Sequence, residues 1–102
     1  MEKYKIIIAS QADEDLYRMS MYLPNNNFRD FRKALKEKYI NLKSMHWMYP
    51  RLYYEKKTKT DFRKITYGKY IIIYKIQESQ ITILRIVSEK EDYLKPKLLE
   101  IY

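Results

Sequence analysis

Three short runs in the second half of the chain, residues 62–66, 70–76 and 81–87, are rich in Ile, Tyr and Thr. Only Tyr67-Gly68-Lys69 and Gln77-Glu78-Ser79-Gln80 part them. β-branched and aromatic side chains suit a pleated surface, and interruptions this short let each run pair with the next by turning back on itself. The expectation is an antiparallel three-stranded meander. Residues 52–55 offer a weaker fourth strand.

The first half has a different rhythm. Residues 3–8 read as a strand, and Ser10-Gln11-Ala12-Asp13 gives a capping-box-like start to a helix. On that helix Ala12, Leu16, Met19 and Leu23 recur at helical spacing, while Asp13, Glu14, Asp15 and Arg18 take the other face. Pro24 and Asn25-Asn26-Asn27 end it. From Phe28, the positions Phe31, Leu35, Tyr39, Leu42 and Met45 repeat helically to about Met48, and Pro50 stops the pattern. So short a connection folds the two helices into an antiparallel hairpin whose apolar stripes need a common partner, and the meander supplies it. The expected class is α+β, of order β-α-α-β-β-β, with the N-terminal helical hairpin packed on one face of an antiparallel sheet and the opposite face open. The final segment, residues 93–102, reads as a loose turn or short helix.

No Gly/Ser-rich or Pro-rich stretch divides the 102 residues, so one domain is expected, 1–102. Such a chain buries on the order of 65% of its unfolded surface, enough for one core, with which any deep pocket competes. Cysteine is absent, which removes disulfides, thiolate catalysis and Cys-ligated metal. The apolar run before Ser10 is too brief for a signal-peptide core, and no run approaches the roughly 18 residues of a membrane span. A cytoplasmic protein without membrane association is expected. Twenty-one Lys plus Arg against thirteen Asp plus Glu leave a net charge of +8, a field that attracts nucleic acid, acidic proteins or anionic lipid. Twelve tyrosines beside so many lysines also fit the codon usage of an AT-rich genome.

A sole glycine, Gly68, excludes the Gly-rich loops that cradle phosphate, and a sole histidine, His46, excludes multi-His metal sites. No metal and no cofactor are expected. His46, near a helix end, reads as a structural residue before a general base. Lys56-Lys57-Thr58-Lys59 reads either as edge lysines that discourage strand addition or as an acidic-surface contact. Arg63 and Arg85 stand inside apolar strands, and strict alternation puts Arg85 with Ile81, Ile83 and Val87. A guanidinium there needs either a partner molecule at the open face or an internal carboxylate such as Glu89 or Asp92.

Tyr4-Lys5-Ile6, Ser10-Gln11-Ala12-Asp13-Glu14-Asp15-Leu16, Phe62-Arg63-Lys64-Ile65, Tyr70-Ile71-Ile72-Ile73-Tyr74-Lys75-Ile76 and Ile83-Leu84-Arg85-Ile86-Val87 together resemble the RelE/ParE toxins of bacterial type II toxin-antitoxin systems. Three patterns of that family, YRK, Y-x-I-x-Y-x-I and R-I followed by D-Y, fall on Phe62-Arg63-Lys64, on 70–76, and on Arg85-Ile86 with Asp92-Tyr93. The resemblance covers nearly the whole chain. It implies a toxin held inactive by a cognate antitoxin, as a hetero-oligomer, with either DNA gyrase or the ribosome and its mRNA as target. The face that meets target or antitoxin would carry Arg63, Lys64, Lys69, Arg85, Lys90 and Tyr93.

RelE-like members cut messenger RNA, and here Arg63, Lys64, Arg85 and Tyr93 would be the catalytic candidates, since cleavage through the 2′-hydroxyl needs a proton acceptor and cations for the phosphorane. ParE-like members block gyrase without cutting. Where RNA-cutting relatives often carry Arg after the first tyrosine of Y-x-I-x-Y, this chain has Ile71. Where they are often basic and His-containing, it reads Ser88-Glu89-Lys90-Glu91-Asp92, whose carboxylates repel phosphate. These departures favour a ParE-like, non-cleaving toxin. An RNA-cutting toxin, an inert relative, and a plain nucleic-acid-binding module that stacks bases on Tyr53, Tyr54 and Tyr67 remain the alternatives.

Overall fold

The computed structural model describes residues 4–90, in the order β1 (Lys5–Ile8), α1 (Ser10–Tyr22), α2 (Asn25–Met45), a 3₁₀ turn (His46–Met48), β2 (Arg51–Glu55), β3 (Thr60–Tyr67), β4 (Tyr70–Gln77) and β5 (Gln80–Ser88). The three Ile- and Tyr-rich runs form the meander β3-β4-β5, and the weaker stretch before them is a strand as well. The β3–β4 turn uses Gly68 at φ +58°, a conformation glycine adopts freely. The β4–β5 turn has no glycine. Glu78 takes φ +56° there, at a cost of roughly 1–2 kcal/mol that the pairing on either side offsets.

The sheet order is β1-β5-β4-β3-β2, and β1 joins parallel to β5 while all other pairs are antiparallel. The α+β class therefore holds, with a sheet made mixed by its first strand. The parallel join fits the connectivity, because the chain from β1 crosses the sheet through both helices before it can return.

Three local readings change. The N-cap of α1 is Ala9, whose carbonyl accepts the N–H groups of Ala12 and Asp13, and no side chain caps the helix. The Ala9 N–H is itself bound to the Ile83 carbonyl at 2.9 Å, so strand pairing, rather than Ser10, fixes where the helix starts. Asn25-Asn26-Asn27 opens α2 behind Pro24 instead of ending α1. The second helix stops at Met45, and the 3₁₀ turn carries the chain on to Met48.

Alternation along β4 divides the core in two. Ile72, Tyr74 and Ile76 point to the helices and join Ala12, Met19, Phe31, Leu35, Leu42, Ile65, Ile81, Ile83 and Ile86. Ile71 and Ile73 point the other way and join Phe62, Leu84 and Val87. Each fully buried Ile or Leu contributes roughly 1.5–3 kcal/mol. The face away from the helices, expected to be open, thus carries an apolar cluster whose members are only 1–6% exposed. Residues 93–102, read above as a turn or short helix, lie outside the described residues. Among the described residues no helix is long and apolar enough to cross a membrane.

In β5 the alternation breaks. Tyr74 pairs with Ile83 but Ile73 pairs with Arg85, so Leu84 is an extra residue, a β-bulge. Ile81 and Ile83 before the bulge and Ile86 after it belong to the helix-side cluster, while Val87 belongs to the opposite one. The strict period that grouped Arg85 with Ile81, Ile83 and Val87 therefore fails at the position of Arg85 itself.

Candidate functional site

The bulge brings Arg85 to Asp15. Arg85 Nε donates to Asp15 Oδ2 at 2.8 Å and Nη2 to Oδ1 at 3.0 Å, a two-point contact between guanidinium and carboxylate. Asp15, read from sequence as part of the solvated face of α1, is 2% exposed. Its Oδ2 also accepts the Ile86 N–H at 2.8 Å, and Arg18 donates to Oδ1. The backbone explains why a carboxylate is needed there. β1 ends at Ile8, opposite Ile83, so β5 has no strand neighbour on that side at Ile86, and Asp15 reaches down from α1 to satisfy the buried amide. The internal carboxylate that meets Arg85 is thus on α1, not Glu89 at the strand end. Asp92 and Tyr93 lie outside the described residues.

Arg63 is engaged just as fully. Its Nε donates to Asp61 Oδ2 at 2.8 Å, and Nη1 donates to the carbonyls of Trp47 at 2.8 Å and Tyr49 at 2.6 Å. Arg51 donates to the other oxygen of Asp61 at 2.8 Å. The network clamps the 3₁₀ turn to β3. Tyr74, under the same turn, donates to the His46 carbonyl at 2.7 Å, and burial pushes its hydroxyl pKa up. The His46 ring lies 4.1 Å from that of Tyr4. Burial lowers its pKa and the Arg63 charge adds to that, against a backbone hydrogen bond at Leu42 and the charge of Asp61. His46 is a structural residue in this setting.

The other cations separate into two places. Lys64 is half-buried on β3, opposite Ile73, and its N–H is held by the Pro50 carbonyl at 3.1 Å. Lys69 is exposed in the β3–β4 turn, and its carbonyl accepts the Glu89 N–H at 2.8 Å, which draws the exposed Lys90 to the same end of the sheet. Lys38 of α2 adds a third ammonium there, 5.1 Å from the Tyr67 ring centre. Tyr22 and Tyr70 meet nearby, their hydroxyls 3.4 Å apart, over a cleft of about 50 Å³ beside Asp15 and Ser88. That volume is far below the roughly 300 Å³ at which small-molecule sites begin. The structure therefore gathers Lys69 and Lys90, and sets Arg63 and Arg85 into separate ion pairs.

The stacking alternative finds no platform. Tyr53 and Tyr54 are successive residues of β2 and so point to opposite sides, and Tyr67 closes β3 at its far end. No group of three His, Cys, Asp or Glu suited to a metal occurs among the described residues. Sequence reasoning missed Asp15 and Asp61. Asp15 had a legible signal, since Ala12, Asp15 and Met19 share one helical stripe. Asp61 had none, because a strand-end aspartate looks like any other surface acid.

The family model described as ParE toxin of type II toxin-antitoxin system, parDE, matches residues 6–93. The chain belongs to the ParE toxin family. This ParE-family chain also resembles the crystal structure of the archaeal RelE-RelB complex from Pyrococcus horikoshii OT3, at 20% identity and a TM-score of 0.59, over 87% of this chain and 98% of the other. At that identity the likeness establishes the RelE/ParE fold. No curated protein matches the chain in sequence. The toxin family and the fold converge on a toxin of a type II toxin-antitoxin system.

Proposed function

We propose that this ParE-family chain is the non-cleaving kind of toxin, which stops growth by inhibiting DNA gyrase and is neutralised by a cognate antitoxin in the cytoplasm. One observation carries the reading. The two guanidiniums that an RNA-cutting site would draw on, Arg63 and Arg85, are both engaged by carboxylates, at Asp61 and Asp15. Phosphoryl transfer needs cations preorganised toward the developing charge; Arg85, bound at two points to the buried Asp15, and Arg63, bound at one point to the half-buried Asp61 and by two carbonyls, are turned from that task. Ile71, where RNA-cutting relatives often have Arg, is 4% exposed within the second apolar cluster. The fold neighbour was solved as a RelE-RelB complex, which supports an antitoxin partner here.

Controlled expression in cells tests this. Growth should stop and should resume when the product of the adjacent small reading frame is co-expressed. Primer extension on messenger RNA from the arrested cells should show no codon-phased cuts. Such cuts would overturn the proposal in favour of the RNA-cutting reading, for which Lys38, Lys69 and Lys90 around Tyr67 would be the cations left to contact phosphate.

A further inference from the structure

Where α2 gives way to the 3₁₀ turn, three large apolar side chains stand in solvent within four residues. Met45 is 41% exposed, Trp47 59% and Met48 56%, and only His46 between them turns inward, its ring against Tyr4. Single exposed apolar residues are ordinary on a protein surface. The backbone beneath these three is not. Tyr74 donates to the His46 carbonyl at 2.7 Å, Arg63 to those of Trp47 and Tyr49 at 2.8 and 2.6 Å, and the Lys64 N–H to that of Pro50 at 3.1 Å. The indole is seated too, edge-on to the His46 ring at 5.2 Å and 87°.

The fold thus fastens at four carbonyls a turn whose outward side chains join neither apolar cluster. A segment that only connected α2 to β2 would need no such fastening. A side chain held in place before association loses less freedom on binding, and Trp and Met are enriched in protein interfaces, with Trp foremost among the residues that dominate their energy. Charge narrows the partner. Between Glu37 and Glu55 the sequence has no carboxylate, and Lys43 and Arg51 flank the turn. Asp61 reaches it through Arg63 but carries two guanidiniums, so the balance there stays positive.

An apolar centre with cationic flanks is complementary to an apolar cleft rimmed by carboxylates. Nucleic acid would set phosphates beside thioethers, and one indole is no stacking platform. A second copy of this chain, at net charge +8, meets the flanks with like charge. An anionic bilayer suits the composition but does not require side chains held in one geometry.

We propose that the 3₁₀ turn is the element by which this toxin docks on gyrase, with Trp47, Met45 and Met48 entering an apolar, acid-rimmed cleft of that enzyme. The inference rests on the gyrase reading for the partner's identity, and on the turn alone for the chemistry of the contact.

Two measurements test it on the full chain. In the first, Trp47→Ala/Met48→Ser is compared with Tyr17→Ser/Met21→Ser, which removes equally exposed apolar side chains from α1, both checked for folding by thermal melting. The turn variant should need about 30-fold more protein than the parent to inhibit supercoiling, as expected for loss of an interface hot spot, and the α1 variant should stay within about three-fold. The second needs no altered surface. Trp47 is the sole tryptophan, so growth on 5-hydroxytryptophan labels that position alone with a fluorophore excited apart from the tryptophans of gyrase. Acrylamide quenching of the label should fall when gyrase is added.

Inhibition by the turn variant at the parent's concentration would overturn the proposal, as would equal weakening by the α1 variant or quenching unchanged by gyrase. Shielding of the label by phosphatidylglycerol vesicles as effective as that by gyrase would assign the turn to a lipid surface, and shielding that grows with the chain's own concentration would assign it to a second copy. Either overturns the docking role. Inhibition that survives in the turn variant removes the turn and leaves the gyrase reading standing, whereas a parent chain without effect on supercoiling removes the gyrase reading and the docking with it.

Discussion

Arg85 and Asp15, 70 residues apart in sequence, meet through two hydrogen bonds of 2.8 and 3.0 Å with Asp15 almost wholly removed from water. The pair ties the middle of β5 to α1 where β1 has ended. Its neighbours complete it, since Asp15 also takes the Ile86 amide and Arg18. Arg85 is therefore a residue of the fold before it is a residue of any binding face.

Arg85→Ala should cost about 3 kcal/mol, the lower end of the range for stranding one member of a buried pair, because Arg18 still meets Asp15. For a domain of this size that is a fall in Tm of roughly 10 °C or more by calorimetry. A Tm within a degree or two of the parent would show that the pair contributes no stability and that Arg85 faces a partner instead.

Arg63→Lys should also destabilise, by about 1–3 kcal/mol, because a point ammonium cannot reproduce one guanidinium's bonds to Asp61 and to the carbonyls of Trp47 and Tyr49 together. Denaturant unfolding at unchanged m-value checks this. Stability equal to the parent's would release Arg63 from the clamp and return it to the list of functional cations.

Two tyrosines should behave oppositely. Tyr74→Phe removes a hydrogen bond to the His46 carbonyl and should cost about 1 kcal/mol, whereas Tyr39→Phe removes a hydroxyl that is buried without a partner among the described residues and should be neutral or stabilising. Burial, aided by the charge of Asp13, pushes the Tyr39 hydroxyl up to about 12, in keeping with an unsolvated group. Paired thermal melts decide, and a larger loss at Tyr39 than at Tyr74 would contradict the assignment of these two hydroxyls.

The pH dependence follows from His46. Its folded-state pKa lies below the ordinary 6.5, so the neutral ring is favoured in the native protein and protonation favours the unfolded chain. Its contribution is fully present above about pH 6.5 and is lost as the pH falls through the lower folded value. Between pH 7 and pH 5 the parent should therefore lose more stability than His46→Gln. Parallel pH profiles would show that the ring is not held against Tyr4 as described.

The parts of this fold that depend on local pattern could be read directly from the chain. Period-two runs of Ile and Tyr gave β3, β4 and β5, and the stripes through Leu16 and Leu35 gave the two helices. What sequence could not reveal depends on pairing between distant segments. The parallel join of β1 to β5 is invisible locally, and from it follow the helix start at Ala9 and the need for a carboxylate at Ile86. The bulge at Leu84 broke the alternation on which the reading of Arg85 rested, since one extra residue reverses every side chain beyond it. Asp15 was misplaced because it follows Asp13 and Glu14 in a run of acids that reads as one solvated face, although its spacing from Ala12 and Met19 pointed inward.

A supercoiling assay on purified gyrase tests the proposed mechanism most directly. The intact chain, titrated into a reaction of gyrase, ATP and relaxed plasmid, should suppress supercoiling in proportion to its concentration, and Ile71→Arg should not give the chain the ability to cut messenger RNA. Undiminished supercoiling at every concentration, together with ribosome-dependent cleavage of messenger RNA by the same preparation, would contradict it.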